Sequence, residues 1–304
     1  MAARSEATSM MRRARELMHG TVDVHTHSSP DLFPRVCDHV ELVAAARRAG
    51  MRGIILKSHF AATTFVAELV KKEVREVAVF GGIVLNRWVG GLNPDAVDMA
   101  IASGARQVWM PTLSSRRHLQ TYGESQFRVQ KTSRSMRRSP GEGITVFDAD
   151  GKLLPEVGAI LDLIAHGDVI LGTGHLGPEE ALAVAREARR RGVRRILVTH
   201  ADFEVNRFPL EVQKQLADEG ALIEKCLLTV MPGWASTTMD RIAADIKALG
   251  PERCVLVTDF GQANHPNPVN GMEDFIGQLL DRGIAEEAIY TMANSNPCRL
   301  LGLP

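Results

Sequence analysis

The chain has 304 residues, of which 45% are hydrophobic and 24% are charged, proportions typical of a globular protein. Its 36 basic and 36 acidic residues cancel, so charge gives no support for nucleic acid or a membrane as a partner. No apolar run approaches the length that spans a bilayer, and residues 1–20 lack the apolar core of a secretory signal.

The four cysteines are scattered and show no Cys-x-x-Cys spacing. This pattern argues against a disulfide framework and against a sulfur-ligated zinc site. A reducing cytoplasm is therefore the expected compartment.

Apolar, β-branched segments alternate with helical segments, most of which end in glycine. The predicted strands are 21–27, 53–59, 77–85, 107–111, 169–175, 195–200, 221–228 and 254–259. Eight strand–helix repeats favour an α/β fold of the closed (β/α)8 TIM barrel type, with residues 1–304 as one domain. A doubly wound open sheet is the alternative, but no Gly-x-Gly-x-x-Gly opens the first helix.

Several helix ends are predicted from capping residues. Asp38 with Glu41 predicts a capped helix start, and so does Asn93 followed by Pro94. We also expect Ser236 to cap a helix that ends at Gly250. The last helices are predicted over 272–282 and 285–301.

A long insertion, residues 113–154, interrupts the alternation after the fourth strand. Residues 114–143 are polar and basic, and 144–154 read as a hairpin on a turn containing Asp150 and Gly151. The basic part is either a solvated loop, a subunit contact or a lid that recruits an anionic substrate.

The first predicted strand ends in His25 and His27, two residues apart. Side chains alternate across a strand, so both imidazoles point to the same side, an arrangement that suits a divalent metal of the zinc type. Other strands also end in titratable groups: Lys57, His59, His175, His200 and Asp259. The active site of such barrels lies at the carboxyl ends of the strands, so these groups are expected at one mouth.

Three of these residues also have a simpler structural explanation. His175 would serve to cap the next helix, and His200 would be a core histidine bonded to Asp202. Asp259 would be an ordinary N-cap. Chance placement of all the strand-end groups together is improbable, so the sequence favours a shared site.

Residues in the loops of the same rim are candidate substrate contacts. They are His59, Arg87, Trp88, Arg116, His118 and His265. Glu224 lies inside the seventh strand, where a pair with Lys225 or another neighbour explains it better than catalysis.

His-x-His on strand one, His on strands five and six and Asp on strand eight resemble the amidohydrolase superfamily of metal-dependent (β/α)8 hydrolases. The tail Asn296-Pro297-Cys298-Arg299-Leu300-Leu301-Gly302-Leu303 is similar to the Asn-Pro-Ala-x-x-Leu-Gly-Leu tail of many members.

The resemblance implies that His25, His27 and Asp259 bind one divalent metal and that His175 and His200 hold a second. Zinc is expected first, with manganese or iron as alternatives, as one ion or two. In single-metal members the residue matching His175 ligates the ion and the residue matching His200 polarises the substrate. Asp259 would accept a proton from the activated water.

The sequence departs from the superfamily pattern on strand four. Two-metal members usually bridge their ions there with a carbamylated lysine or a glutamate, whereas this strand ends with Trp109 and Met110. Lys57 on strand two has three open roles: a carbamylated metal bridge, a cation that binds a substrate carboxylate, or a structural ion pair.

The resemblance predicts a hydrolase that attacks the carbonyl of an amide, cyclic amide or lactone. The alternatives are a single-metal decarboxylase, a phosphoesterase of the histidinol-phosphatase type, and a catalytically silent binding barrel. The expected partners are a small-molecule substrate, for which a carboxylate would suit Lys57, and further copies of the chain in a homo-oligomer.

Overall fold

The computed structural model describes residues 11–123, 132 and 141–304, and in it eight parallel strands form one sheet in chain order. The strands are β1 (Val22–Thr26), β2 (Gly53–Leu56), β3 (Ala78–Val84), β4 (Ala105–Trp109), β5 (Ile170–Gly172), β6 (Ile196–Val198), β7 (Leu222–Cys226) and β8 (Cys254–Val257). All eight were predicted, with ends that differ by at most three residues.

Helices follow the strands in alternation. They are α1 (His39–Arg48), α2 (Thr64–Glu73), α3 (Pro94–Ala102), α4 (Arg116–Tyr122), α5 (Pro155–Gly167), α6 (Pro178–Arg190), α7 (Leu210–Asp218), α8 (Met239–Leu249), α9 (Pro268–Asp281), α10 (Glu286–Tyr290) and α11 (Asn296–Leu301). Residues 11–17 are also helical. In the described part of the chain, no helix is long and apolar enough to cross a membrane.

The last strand returns to the first. The backbone N–H of Asp259 donates to the carbonyl of His25 at 3.0 Å, and that of His27 donates to Phe260 at 2.8 Å. Below them the Asp23 carboxylate accepts from the Thr258 hydroxyl at 2.6 Å. Side-chain and backbone bonds thus join β1 to β8, and the predicted (β/α)8 barrel is confirmed as a nearly closed barrel.

The helix starts show which capping signals were reliable. Asp38 and Glu41 form a capping box, and Asn93 caps α3 ahead of Pro94, as predicted. Ser236 is not a cap: its hydroxyl donates to the Asp202 carbonyl, and Thr238 caps α8 instead. Two candidate capping hydroxyls lie close together there, and sequence alone does not choose between them.

The carboxyl-terminal helices also differ from the prediction. Helix α9 begins at Pro268, four residues earlier than predicted, because Asn267 caps it. The predicted continuous helix over 285–301 is divided by a π-helical turn at Thr291–Ser295. Pro297 follows this turn and has no N–H to donate to the preceding turn, which favours the irregular hydrogen bonding.

Backbone hydrogen bonds bring residues near the start of the insertion next to residues near its end. The Arg116 amide donates to the Ile144 carbonyl at 2.7 Å, and the predicted hairpin is present as one antiparallel bridge between Phe147 and Leu153. Of the basic segment 114–143 the structure describes residues 114–123, 132 and 141–143, and helix α4 lies in the first of these ranges. The basic residues predicted as a lid or subunit contact between 128 and 138 lie outside the described residues.

Candidate metal centre

Five histidine rings form a closed circle at the barrel mouth. Neighbouring centroids are 5.7 Å apart for His25–His27, 4.9 Å for His27–His59, 6.5 Å for His59–His175, 4.9 Å for His175–His200 and 5.6 Å for His200–His25. All five are buried. They come from β1 and from the residues after β1, β2, β5 and β6, so the fold brings the predicted strand-end histidines together.

Asp259 closes one side of this circle. Its Oδ1 lies 3.0 Å from His25 Nε2 and 3.1 Å from His27 Nε2. One candidate ligand atom from each of these three buried residues lies within 4.8 Å of the others. Two imidazole nitrogens and a carboxylate oxygen facing one point are a donor set that fits zinc or a similar divalent ion.

His175 and His200 face the same cavity but do not belong to that three-residue group. Their assignment to a second metal stays a prediction. In the described structure His200 Nδ1 has no hydrogen-bond partner, although the atom is buried. An unpartnered buried nitrogen is a feature that a ligand at this site would explain.

Glu224 on β7 forms hydrogen bonds with two residues of the site. Its Oε2 accepts from His25 Nδ1 at 3.0 Å and from the His200 amide at 2.7 Å. Because Glu224 holds the Nδ1 proton, Nε2 is the nitrogen that His25 would offer to a metal in place of its own proton; a histidine ligand is oriented by the bond its other nitrogen makes.

The expected pairing of Glu224 with Lys225 is wrong. Successive residues of β7 point to opposite faces, so Lys225 leaves the barrel interior and binds Asp202 at 3.0 Å and Gln213 at 2.8 Å. The strand period was the signal that would have placed Glu224 in the lumen.

Lys57 lies beside the group and is buried. Its Nζ is 2.8 Å from His25 Nε2 and 5.5 Å from the centre of the Trp109 ring. Burial lowers the pKa of Lys57, although the Asp259 and Glu224 carboxylates oppose the shift.

Trp109 fills the lumen where the superfamily would carry its strand-four bridge. A Cβ on Gly82 would lie 2.6 Å from the indole, and one on Gly172 would lie 2.5 Å from it. These two glycines on β3 and β5 make room for the ring. The lumen beside β4 is therefore occupied by an apolar side chain.

Burial and charge together set the protonation of the site. Burial lowers the pKa of His200 to about 4 and holds those of His27, His59 and His175 well below the ordinary value. These four rings are neutral at pH 7, the form in which histidine binds metals.

His25 and Asp259 face each other, and their pKa values are shifted in the opposite directions from those that burial alone would cause. Burial alone would lower the pKa of His25, but Asp259 and Glu224 raise it to about 9. Burial would raise the pKa of Asp259, but the His25 and His27 rings hold it well below its ordinary value. Asp259 is therefore ionised at neutral pH.

The groups enclose a cavity of about 10 Å³, the space of a single water molecule. It is lined by His27, Arg35, Lys57, His59, His175, His200, Phe203, Leu228, Trp234, Asp259 and Gln262.

Of the predicted substrate contacts, His59 lines this cavity. The other five are not among its lining residues: Arg87 stacks on Trp88, Arg116 is exposed, His118 stacks on His175, and His265 stacks on Phe260. Their roles stay predictions.

Arg35 was missed by the sequence analysis. Its guanidinium binds Asp31 at 2.8 Å, contacts His27 Nδ1 at 3.2 Å, and is almost completely buried. It lies in the irregular loop after β1, where no periodicity predicts the direction of a side chain.

The simpler explanations of the strand-end residues do not describe this structure. Helix α6 is capped by Gly177 rather than His175, and Asp202 binds Lys225 rather than the His200 ring. The helix after Asp259 begins nine residues later, under its own cap.

Solved structures of an amidohydrolase, a probable dipeptidase and a decarboxylase share this fold. An amidohydrolase from Pseudomonas aeruginosa aligns with a TM-score of 0.64 and 13% identity, over 95% of this chain and 98% of that one. The probable dipeptidase PvdM from the same organism aligns with a TM-score of 0.65 and 12% identity, over 97% and 98%. A 2,6-dihydroxybenzoate decarboxylase aligns with a TM-score of 0.53 and 12% identity, over 94% and 100%.

At 12–13% identity these likenesses show the barrel fold that the superfamily resemblance implies. The chain belongs to DUF6282, a family of unknown function whose model matches residues 20–224. A search of curated proteins gave no match.

Proposed function

We propose that this protein is a metal-dependent hydrolase that attacks the carbonyl carbon of an amide, cyclic amide or lactone. The observation that carries the proposal is the convergence of His25, His27 and Asp259, with ligand atoms within 4.8 Å of one another at a barrel mouth. This is the face on which barrels of this kind build their active sites.

A divalent metal, when bound there, would supply Lewis-acid activation of water and of the carbonyl. His25 and His27 would hold it, together with Asp259. The Asp259 carboxylate is ionised at neutral pH and would accept the proton of the attacking water. His200 is neutral and lines the cavity, so its ring would donate a hydrogen bond to the carbonyl oxygen.

The positions of Lys57 and Arg35 favour a small substrate that carries a carboxylate. Both are buried side chains with cationic heads lining the cavity. A carboxylate placed between them would be held by charge-assisted hydrogen bonds. The small volume of the cavity requires side chains at its rim to move before such a molecule enters.

A single-metal decarboxylase is the second candidate, and Trp109 favours it. The indole occupies the lumen beside β4, so this strand offers no bridge for a second ion. A fold shared with 2,6-dihydroxybenzoate decarboxylase makes the reaction class worth including in the same assay.

The test is turnover by protein reconstituted with zinc or manganese. Panels of N-acyl amino acids, cyclic amides, lactones and hydroxybenzoates are incubated with wild-type protein and with Asp259→Asn. We expect hydrolysis of at least one carbonyl substrate by the wild type and its near-complete loss in Asp259→Asn. Release of carbon dioxide without hydrolysis would favour the decarboxylase, and no turnover by metal-loaded protein would contradict an enzymatic role.

We propose the cytoplasm as its compartment. All four cysteines are free, as expected in a reducing environment.

A further inference from the structure

Two buried histidines face each other through the same kind of nitrogen. His118 Nδ1 lies 2.9 Å from His175 Nδ1, and the two rings stack at 4.9 Å with an interplanar angle of 25°. Both residues are at most 1% exposed. His175 lines the candidate metal cavity, whereas His118 belongs to helix α4 of the insertion and lies behind it.

Ser115 fixes the backbone of both residues. Its hydroxyl accepts from the His118 amide at 3.0 Å as the cap of α4, and it donates to the His175 carbonyl at 3.1 Å. The His175 amide in turn donates to the Pro111 carbonyl at 2.9 Å. Tyr122, one helical turn after His118, packs on the His118 ring with centroids 4.9 Å apart. The pair is thus held by the fold before any ligand arrives.

The short distance between the Nδ1 atoms requires that one of them carries a proton and the other accepts it. If His175 carried the proton on Nε2 instead, that nitrogen would be a donor and would have no lone pair for a metal. If His175 carries it on Nδ1, its Nε2 has a free lone pair. The direction of this one hydrogen bond therefore decides what His175 offers.

We propose that His118 is a positioning residue that accepts the Nδ1 proton of His175 and thereby holds the His175 Nε2 lone pair available to the cavity. The part of this inference that makes His175 a metal ligand rests on the proposed function. Helix α4 would then couple the insertion to the metal centre. Partners of this kind orient histidine ligands, and their loss lowers metal affinity about 10–100-fold.

Two variants distinguish the role of His118 as a hydrogen-bond acceptor from the role of its aromatic ring. His118→Asn keeps an acceptor oxygen near the place of Nδ1 but loses the aromatic ring. His118→Phe keeps the ring that packs against Tyr122 and His175 but has no acceptor. A structural role for the ring predicts that Phe is the milder change, and the proposed role predicts that Asn is.

The first measurement is cobalt affinity by competition with a chelator, together with the visible spectrum of bound cobalt. We expect His118→Phe to bind cobalt about 10–100-fold more weakly with an altered spectrum, and His118→Asn to stay within a few-fold of wild type. Equal affinities for wild type and His118→Phe would overturn the coupling to the metal.

The second measurement is the ¹⁵N NMR signature of the His175 tautomer in metal-free wild-type protein, assigned with His175→Gln. We expect the Nδ1–H form in wild type and in His118→Asn. The Nε2–H form in wild type would overturn the inference even if the protein binds metal and turns over substrate. Failure to bind any metal would instead count against the proposed function, because the tautomer is read without metal.

Discussion

The Nζ of Lys57 lies 2.8 Å from Nε2 of His25, the atom that faces Asp259 and would bind a metal. A cation on this lysine opposes a divalent ion at the same place. A carbamylated lysine would instead supply an oxygen ligand there. Because Lys57 touches the nitrogen that would bind the metal, a change at Lys57 should alter metal affinity in a direction that distinguishes the two roles.

We predict that Lys57→Met keeps or raises zinc affinity and lowers turnover at least about 100-fold, because the cation acts on substrate. Zinc affinity is measured by chelator competition and turnover with the substrate found in the screen. A large loss of zinc affinity, or a wild-type mass heavier by one carbon dioxide in a native spectrum, would show that Lys57 is a ligand.

Glu224→Gln tests the orientation of His25. The amide replaces a carboxylate that accepts from His25 Nδ1 and from the His200 amide. We predict a fall in zinc affinity of about 10–100-fold, since the ligand loses its charged partner. Glu252→Gln, in the turn before β8, is the matched control and should leave affinity unchanged. Wild-type zinc affinity in Glu224→Gln would show that the Glu224 charge does not contribute to metal binding by His25.

Gly172→Ala tests the packing of Trp109. An added Cβ would lie 2.5 Å from the indole, so the ring or the strand must shift. We predict a loss of about 1–3 kcal/mol in the free energy of unfolding, measured by urea denaturation. Gly277→Ala on helix α9 is the control, because its added Cβ would meet nothing closer than 3.8 Å. Equal stability of the two variants would show that the lumen is not tightly filled.

Asp168→Asn tests a pH-dependent contribution to stability. Hydrogen bonds from Arg195, with a further contribution from Arg194, lower the pKa of this carboxyl. A carboxyl whose pKa is depressed by folding stabilises the protein above its unfolded pKa, near 4, and loses that effect as the pH falls below it. The side chain is one-third exposed, so we expect about 1 kcal/mol or less.

Asparagine is suited to this position because Asp168 has a φ of 48°, which asparagine tolerates. We expect the stability difference between wild type and Asp168→Asn at pH 7 to shrink progressively as the pH falls below about 4. A difference that stays constant over this range would contradict the electrostatic explanation.

The sequence predicted the barrel and the group His25, His27 and Asp259 because both depend on local patterns. Strand ends were visible from apolar runs, and parallel strands must deliver their ends to one face. Lys225 was the wrong partner to expect for Glu224, which pairs with His25 instead. The alternation of side chains along β7 places the two on opposite faces.

Arg35 and the pairing of His118 with His175 could not be predicted in the same way. Arg35 lies in an irregular loop, and His118 reaches His175 across 57 residues of sequence. Their positions depend on how loops fold over the mouth, and no repeating pattern encodes that. Arg87, Trp88, Arg116 and His265 were predicted as substrate contacts because they lie in loops of the rim. None of them lines the cavity.

The proposed function requires that His25, His27 and Asp259 hold a divalent metal. Its most direct test is metal analysis of protein purified without chelator and then reconstituted with zinc, beside His27→Ala and the distant control His166→Ala. We predict at least one zinc per chain in wild type and in His166→Ala, and less than about a tenth of that occupancy in His27→Ala. Wild-type protein that retains no zinc, manganese or iron after reconstitution would contradict the claim.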